Sequence, residues 1–162
     1  MEETVSITLR KMKENVFDEY LVKSIPAYAL ENIESGRWIE EGAIERSRAD
    51  HESLLPDGIH TKNNYLFEVI TGKESNVVGV LWVNVDDTVS TKSAFIYDIE
   101  IYEDHRRQGY AKQTLNALEC FVKDLGINKI GLHVFRQNAA AQSLYEAMGY
   151  RVVSSNMSKS ID

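Results

Sequence analysis

Apolar positions along this chain change their period several times, and each change marks an element. Val5 to Leu9 (VSITL) reads as a first strand. From Asn15 to Ser35, residues Val16, Phe17, Tyr20, Leu21, Tyr28, Leu30 and Ile33 recur at helical spacing. Pro26 is expected to break or kink that helix and Gly36 to stop it. A charge-rich helical stretch runs from Ile39 to Leu54 and ends in the turn signal Pro56-Asp57-Gly58. Three runs rich in Val, Ile and aromatics then predict strands at Tyr65 to Ile70, Val77 to Val85 and Ala94 to Tyr102, joined by polar connections of hairpin length. Helical spacing resumes from about Gly109 to Leu125. Lys129 to Phe135 reads as a strand, Asn138 to Met148 as a last helix, and Tyr150 to Met157 as a returning strand. The strand, helix and strand between Ala94 and Phe135 leave room for a parallel crossover.

Composition narrows the class. A chain of 162 residues suits one domain, spanning 1–162, with a core large enough to need no disulfide. Its one cysteine, Cys120, excludes an intramolecular bridge. With no signal-peptide pattern, a cytoplasmic location is expected. No apolar run approaches the roughly 20 residues that span a bilayer, so no membrane partner is expected. The net charge of -7 disfavours nucleic-acid binding and suits a cationic substrate such as an amine. No His/Cys/Asp/Glu set has metal-ligand spacing.

The chemistry concentrates after the Ala94–Tyr102 strand. Arg106-Arg107-Gln108-Gly109-Tyr110-Ala111 forms a basic, glycine-containing loop that opens a helix. Free N–H groups of a first helical turn converge on an anion, and the helix dipole favours negative charge there. Gly109 permits a tight turn, and Arg106 and Arg107 can add charge-assisted hydrogen bonds. Neither G-x-x-x-x-G-K-[ST] nor G-x-G-x-x-G is present, so the two best-known nucleotide loops are disfavoured.

The Arg-x-x-Gly-x-Ala pattern of Arg106, Gly109 and Ala111 resembles the pyrophosphate loop of the GNAT superfamily of acetyl-CoA-dependent N-acetyltransferases. A second similarity lies downstream in Leu132-His133-Val134-Phe135-Arg136-Gln137-Asn138, then Ala141, Leu144-Tyr145 and Gly149-Tyr150. The two together cover roughly residues 94 to 152. The resemblance implies one α/β domain with a mixed sheet of about six to seven strands, flanked by about four helices. It implies acetyl-CoA bound by the backbone of Ile99, Glu100 and Ile101, by the loop from Arg106 to Ala111, including Gln108 and Tyr110, and by Asn138 and Tyr145. It implies further that the N–H of Ile101 or a neighbour stabilises the oxyanion, and that Tyr145 protonates the departing thiolate. A homodimer is compatible with the family, though nothing in the chain demands one.

Residue chemistry adds alternatives. Acetyl transfer requires a neutral nitrogen and so benefits from a carboxylate base. Asp98 and Glu100, two positions apart in an apolar strand, share a face, and burial would raise either pKa toward a useful range. Pairing with a cation or partial solvation would explain them equally well. Tyr145 also fits the buried face of an amphipathic helix, and Asn138 fits an N-cap. His105 reads as a loop residue and His133 as core or cofactor-facing. His51 and His60 lie in and after the charged helix, and Cys120 reads as helix core. Gly36-Arg37-Trp38 with Glu40, Glu41 and Glu45 could line an acceptor pocket or form a solvated face, and Trp82 could be core or pocket wall. The expected function is acetyl transfer to a primary amine of a small molecule or peptide through a ternary complex. The alternatives are transfer of another acyl group and a non-catalytic acyl-CoA sensor.

Overall fold

The computed structural model describes residues 7–72, 76–88 and 90–161. Five strands form one mixed sheet in sequence order: β1 (Ile7–Lys11), β2 (Asn64–Thr71), β3 (Asn76–Asp86), β4 (Ser93–Ile101) and β5 (Lys129–Leu132). The first four are antiparallel neighbours, and β5 joins β4 in parallel through a helical crossover. Helices α1 (Glu14–Glu34) and α2 (Ala43–Leu54) cover one face, and α3 (Tyr110–Asp124) and α4 (Ala139–Ala147) the other.

Each face owns a core. Val69, Leu81, Val83, Ile96, Leu115 and Leu118 pack between the sheet and α3. Met12, Phe17, Tyr20, Leu66, Val80 and Trp82 pack beneath α1. Trp38 joins Ala29 and Ala43 in a small cluster where α1 and α2 meet. Among the described residues, no helix is long and apolar enough to cross a membrane.

Several expectations need correction. Residues Val5 and Ser6 of the expected first strand lie outside the described residues. Pro26 does not break α1. It sits on the exposed side, one turn after exposed Val22, where water can satisfy the carbonyl that proline leaves free. The second helix begins at Ala43 rather than Ile39, because Gly42 adopts a left-handed φ of 77° just before it. Among the described residues the sheet has five strands instead of six or seven: residues 150–157 form no strand, and no described strand lies beside β5 to pair with them. Adjacent Val152 and Val153 also break the alternation that a half-buried strand needs.

β5 ends at Leu132 instead of Phe135 for a related reason. The β3–β4 register runs Trp82↔Asp98 and then Val83↔Ile96, so Tyr97 is an extra residue, a β-bulge. β4 pairs with β5 only from Ser93 to Ile96, before that bulge. Beyond it β4 and β5 part, and the last five residues of β4 have no strand on that side.

Candidate active site

The bulge decides which way the strand's side chains face. Ala94, Ile96 and Ile101 lie in the core beneath α3, and Ile99 packs against it. Tyr97 stacks on Trp82, and Asp98 reaches Tyr20, so two consecutive residues face the α1 side. Without the extra residue, strict alternation would have put Asp98 on the same side as Ala94 and Ile96. Glu100 follows Asp98 on the α1 side but is exposed, so of the two readings the sequence left open, solvation applies to Glu100.

Asp98 keeps a partial opening to a cleft, while protein surrounds its carboxyl on most sides. Desolvation pushes its pKa up to about 6, with nearby Glu100 adding to the rise. A 2.6 Å hydrogen bond from the Tyr20 hydroxyl, and then the adjacent Ile99 backbone, act in the opposite direction. The result is a carboxylate reachable from the cleft and more basic than an ordinary one.

The cleft has a volume of about 970 Å³ and runs between the open end of β4, α4 and the two N-terminal helices. Tyr102 N–H donates to Val78 O at 2.8 Å, so antiparallel alternation directs the N–H groups of Glu100 and Asp98 toward β3. The N–H groups of Ile99 and Ile101 then point to the unpaired side. Arg106 closes the strand end by donating from Nε to Ile101 O at 2.9 Å. Gly79 allows β3 to approach closely here: a Cβ on it would lie 2.1 Å from Glu100 O.

Gly109 takes a left-handed φ of 80° as it starts α3, and Arg107 takes 62°. A side chain is strained in that region, so Gly109 suits it where most residues would not. The first-turn N–H groups of α3 face out of the loop with no side-chain cap. Asn138 caps α4 by accepting from Ala141 N–H at 3.3 Å. That helix presents Tyr145, which is half-buried, and Tyr150 packs against it edge-on at 5.7 Å. Burial first, then the charges of Asp98 and Glu31, raise the Tyr145 pKa and keep its hydroxyl protonated.

Asp98, Ile99, Glu100, Ile101, Arg106, Ala111, Asn138 and Tyr145 therefore line one cleft. Arg107, Gln108, Gly109 and Tyr110 form the loop beside it but are not part of its lining.

Residues 27–150 match the model of a family described as Acetyltransferase (GNAT) family. The chain belongs to this family. It is 36% identical to the uncharacterized N-acetyltransferase YycN of Bacillus subtilis (strain 168), covering 97% of this chain and 100% of that one. The crystal structure of YycN superposes with a TM-score of 0.92, covering 96% of this chain and 99% of that chain. A second Bacillus subtilis (strain 168) relative, the uncharacterized N-acetyltransferase YdgE, is 34% identical over 97% of this chain and 99% of its own length. The fold extends to AAC(6')-Iy, solved in complex with the bisubstrate analog CoA-S-monomethyl-acetylneamine. That structure has a TM-score of 0.56 and 15% identity, covering 96% of this chain and 98% of its own. The chain is a GNAT-type acyltransferase, and members of the family use acetyl-CoA as co-substrate.

In this GNAT enzyme several cleft residues have no counterpart in the loop and Asn-to-Tyr patterns. Tyr20, Ser24, Tyr28 and Glu31 line the cleft from α1, Asp50 and His51 from α2, and Trp82 from β3. Tyr20 and Tyr28 belong to the helical periodicity read from the sequence, whereas the polar Ser24 and Glu31 on the same side of α1 leave no mark in it. Glu40, Glu41 and Glu45 are exposed and do not line the cleft, Trp38 is buried, and Trp82 is both core and cleft wall. His133 is exposed beside Phe135 rather than in the core, because β5 ends one residue earlier. Cys120 lies on the exposed side of α3.

Proposed function

We propose that this enzyme transfers the acetyl group of acetyl-CoA to a primary amine of a small molecule or peptide, by direct attack with both substrates in the cleft. The observation that carries the reading is the position of Asp98. It is a desolvated carboxylate, open to the cleft, at the point where β4 turns unpaired N–H groups outward. The loop from Arg106 through Arg107, Gln108, Gly109 and Tyr110 to Ala111 takes the pyrophosphate. The backbone of Ile99 to Ile101, together with Asn138, takes the pantetheine arm.

A lysine-type amine near pH 7.5 needs about 4 kcal/mol to be held neutral. Asp98 removes that proton, and its raised pKa narrows the gap between base and ammonium. The nitrogen lone pair then attacks the thioester carbon, forming the C–N bond and an oxyanion. Ile101 N–H, which points to the unpaired side of β4, receives the oxyanion. Collapse breaks the C–S bond, and Tyr145 protonates the thiolate. The second proton of the still-cationic nitrogen passes to the Tyr145 oxygen, leaving a neutral amide, a thiol and a tyrosine. Glu100 adds negative potential from its exposed position.

The acceptor end favours a cation. Glu19, Glu31, Asp50, Glu68, Asp98 and Glu100 line the cleft against Lys23 and Arg106. Arg10 offsets one of them by pairing with Glu68 at 2.8 Å. The complex of AAC(6')-Iy with an analog that joins CoA to acetylneamine supports simultaneous occupancy in this fold.

Calorimetric titration with acetyl-CoA, free CoA and ATP tests the cofactor half. Saturable acetyl-CoA binding should weaken about tenfold or more when Arg106 and Arg107 are both changed to Ala. CoA release should then be followed with 1,4-diaminobutane, spermidine, neamine and a peptide bearing a free α-amine. Failure of acetyl-CoA to bind would overturn the reading. Binding without CoA release from any amine would leave a sensor.

A further inference from the structure

The carboxyl of Asp98 is one end of a chain of hydrogen bonds that runs along the helical wall of the cleft. Tyr20 OH donates to Asp98 Oδ2 at 2.6 Å, and Ser24 Oγ lies 3.4 Å from Tyr20 OH as its donor. His51 Nε2 lies 3.0 Å from Ser24 Oγ. The other ring nitrogen, Nδ1, is 2.8 Å from Ser47 O. A carbonyl only accepts, so Nδ1 carries the hydrogen and Nε2 is the nitrogen free to gain or lose one. Ser47 itself is pinned by donating to Ile25 O at 2.7 Å, which fixes the imidazole against α1.

His51 also lines a second cavity of about 430 Å³ on the far side of α1, where Arg48 and Glu52 are its charged neighbours. It is therefore the group common to both spaces. A helix contact needing only shape could use apolar groups here. Connected buried polar groups are retained at a desolvation cost, so their continuity toward the proposed base calls for a role.

We infer that Tyr20, Ser24 and His51 form a proton relay that carries the amine proton from Asp98 along the cleft wall to His51, away from the reacting atoms. This rests on the reading of Asp98 as the base. The amine N–H bond breaks and the proton joins the Asp98 carboxylate. Three shifts of one bond follow: Asp98 to the Tyr20 oxygen, the Tyr20 proton to Ser24, and the Ser24 proton to His51 Nε2. Asp98 is again a carboxylate, both hydroxyls are neutral, and the charge rests on an imidazolium. The ring keeps this proton on Nε2 until product leaves, and water in the emptied cleft, which His51 also lines, then takes it. The orientation in which Tyr20 donates to Asp98 and Ser24 to Tyr20 is the one such a transfer leaves behind.

The test is steady-state kinetics with acetyl-CoA and the best acceptor of the panel above. Ser24→Ala removes the middle hydroxyl and leaves Asp98 and His51 in place. It should lower kcat about tenfold with KM for acetyl-CoA unchanged, and Ser24→Thr should restore it. His51→Gln should act in the same direction, and the double variant should cost no more than either single one, since both cut the same chain. Additive losses, or wild-type kcat in Ser24→Ala, would overturn the relay. Full activity in Asp98→Asn would instead overturn the base. A ¹⁵N NMR titration of His51 needs no acceptor. Asp98→Asn should shift its titration more when Ser24 is present than in the Ser24→Ala background, where only the through-space effect of the lost charge remains. Arg48, Asp50, Glu52, Tyr20, Glu68 and Glu100 act through space equally in both backgrounds, so an equal shift in both would sink the relay.

Discussion

The two walls of the cleft are built on different plans. One is nearly contiguous in sequence, from β4 through the Arg106–Ala111 loop to α4, and it works through backbone groups: a splayed strand, a left-handed Gly109 and a helix start. The other gathers Tyr20 and Ser24 from α1, His51 from α2 and Trp82 from β3, and it works through side chains. A backbone wall is tied to the fold and suits a partner that never varies, such as the pyrophosphate and amide arm of a cofactor. A side-chain wall can be rewritten without disturbing the strands, which suits an acceptor. The difference predicts that substitutions on the two walls separate binding from turnover.

The largest effect should come from Asp98→Asn, which keeps the shape and removes the base. We expect kcat to fall by about 10²- to 10⁴-fold with acetyl-CoA affinity unchanged, read by CoA release and calorimetry. Glu100→Gln, at the exposed neighbour, should cost under about tenfold. If Glu100→Gln proved the more damaging, the solvated carboxylate would be the base and the bulge would have no catalytic meaning. Tyr145→Phe should fall between the two, lowering kcat and leaving cofactor binding intact.

The backbone wall breaks differently. Gly79→Ala would set a methyl 2.1 Å from Glu100 O, a backbone atom that cannot turn away. The expected cost is about 2–3 kcal/mol of stability in urea unfolding, together with weaker acetyl-CoA binding as the end of β4 is displaced. Stability lost with cofactor affinity preserved would separate Gly79 from the cleft.

What could be read from the chain follows the same division. The anion loop depends on neighbouring residues, so Arg106, Gly109 and Ala111 state it locally, and Asn138 announces its cap. The strands of β2 to β4 were legible from β-branched runs. The bulge was not: Ala94-Phe95-Ile96-Tyr97-Asp98 contains no glycine or proline to mark it, and only pairing with β3 exposes the extra residue. The end of β5 and the separation of Asp98 from Glu100 in exposure were hidden with it. The helix wall was hidden for another reason. Tyr20 and Tyr28 read as core positions of the apolar stripe, and Ser24 between them, like Ser47 and His51 in the charged second helix, adds nothing to such a stripe. Their meaning appears only when α1 and α2 are laid together. The 150–157 segment reads as a strand by composition, yet a strand exists only with a partner.

The raised pKa of Asp98 offers a stability test of the helix wall. Between the ordinary carboxylate pKa near 3.9 and the folded value of about 6, the folded state holds more protons than the unfolded one. Stability from this group therefore falls as pH rises through that window, and the loss is complete above it. Asp98→Asn should be more stable than the parent at pH 7.5 by about 2–3 kcal/mol, and the difference should shrink to under about 1 kcal/mol by pH 4. Thermal unfolding across that range checks it. A variant less stable at pH 7.5 would mean that the Tyr20 hydrogen bond outweighs desolvation.

The smallest effect belongs to Asn138, where both plans meet. Its side chain caps α4, and the same residue lines the cleft. Asn138→Ala should cost about 1 kcal/mol of stability, whereas Asn138→Asp should keep the cap. Calorimetry on the pair then separates capping from contact. If Asn138 only caps, the Asp variant binds acetyl-CoA as the parent does. If its amide also holds the pantetheine arm, the Asp variant folds normally and still binds more weakly, because a carboxylate has no N–H to donate. The second result would place a side-chain contact on the wall that otherwise relies on backbone.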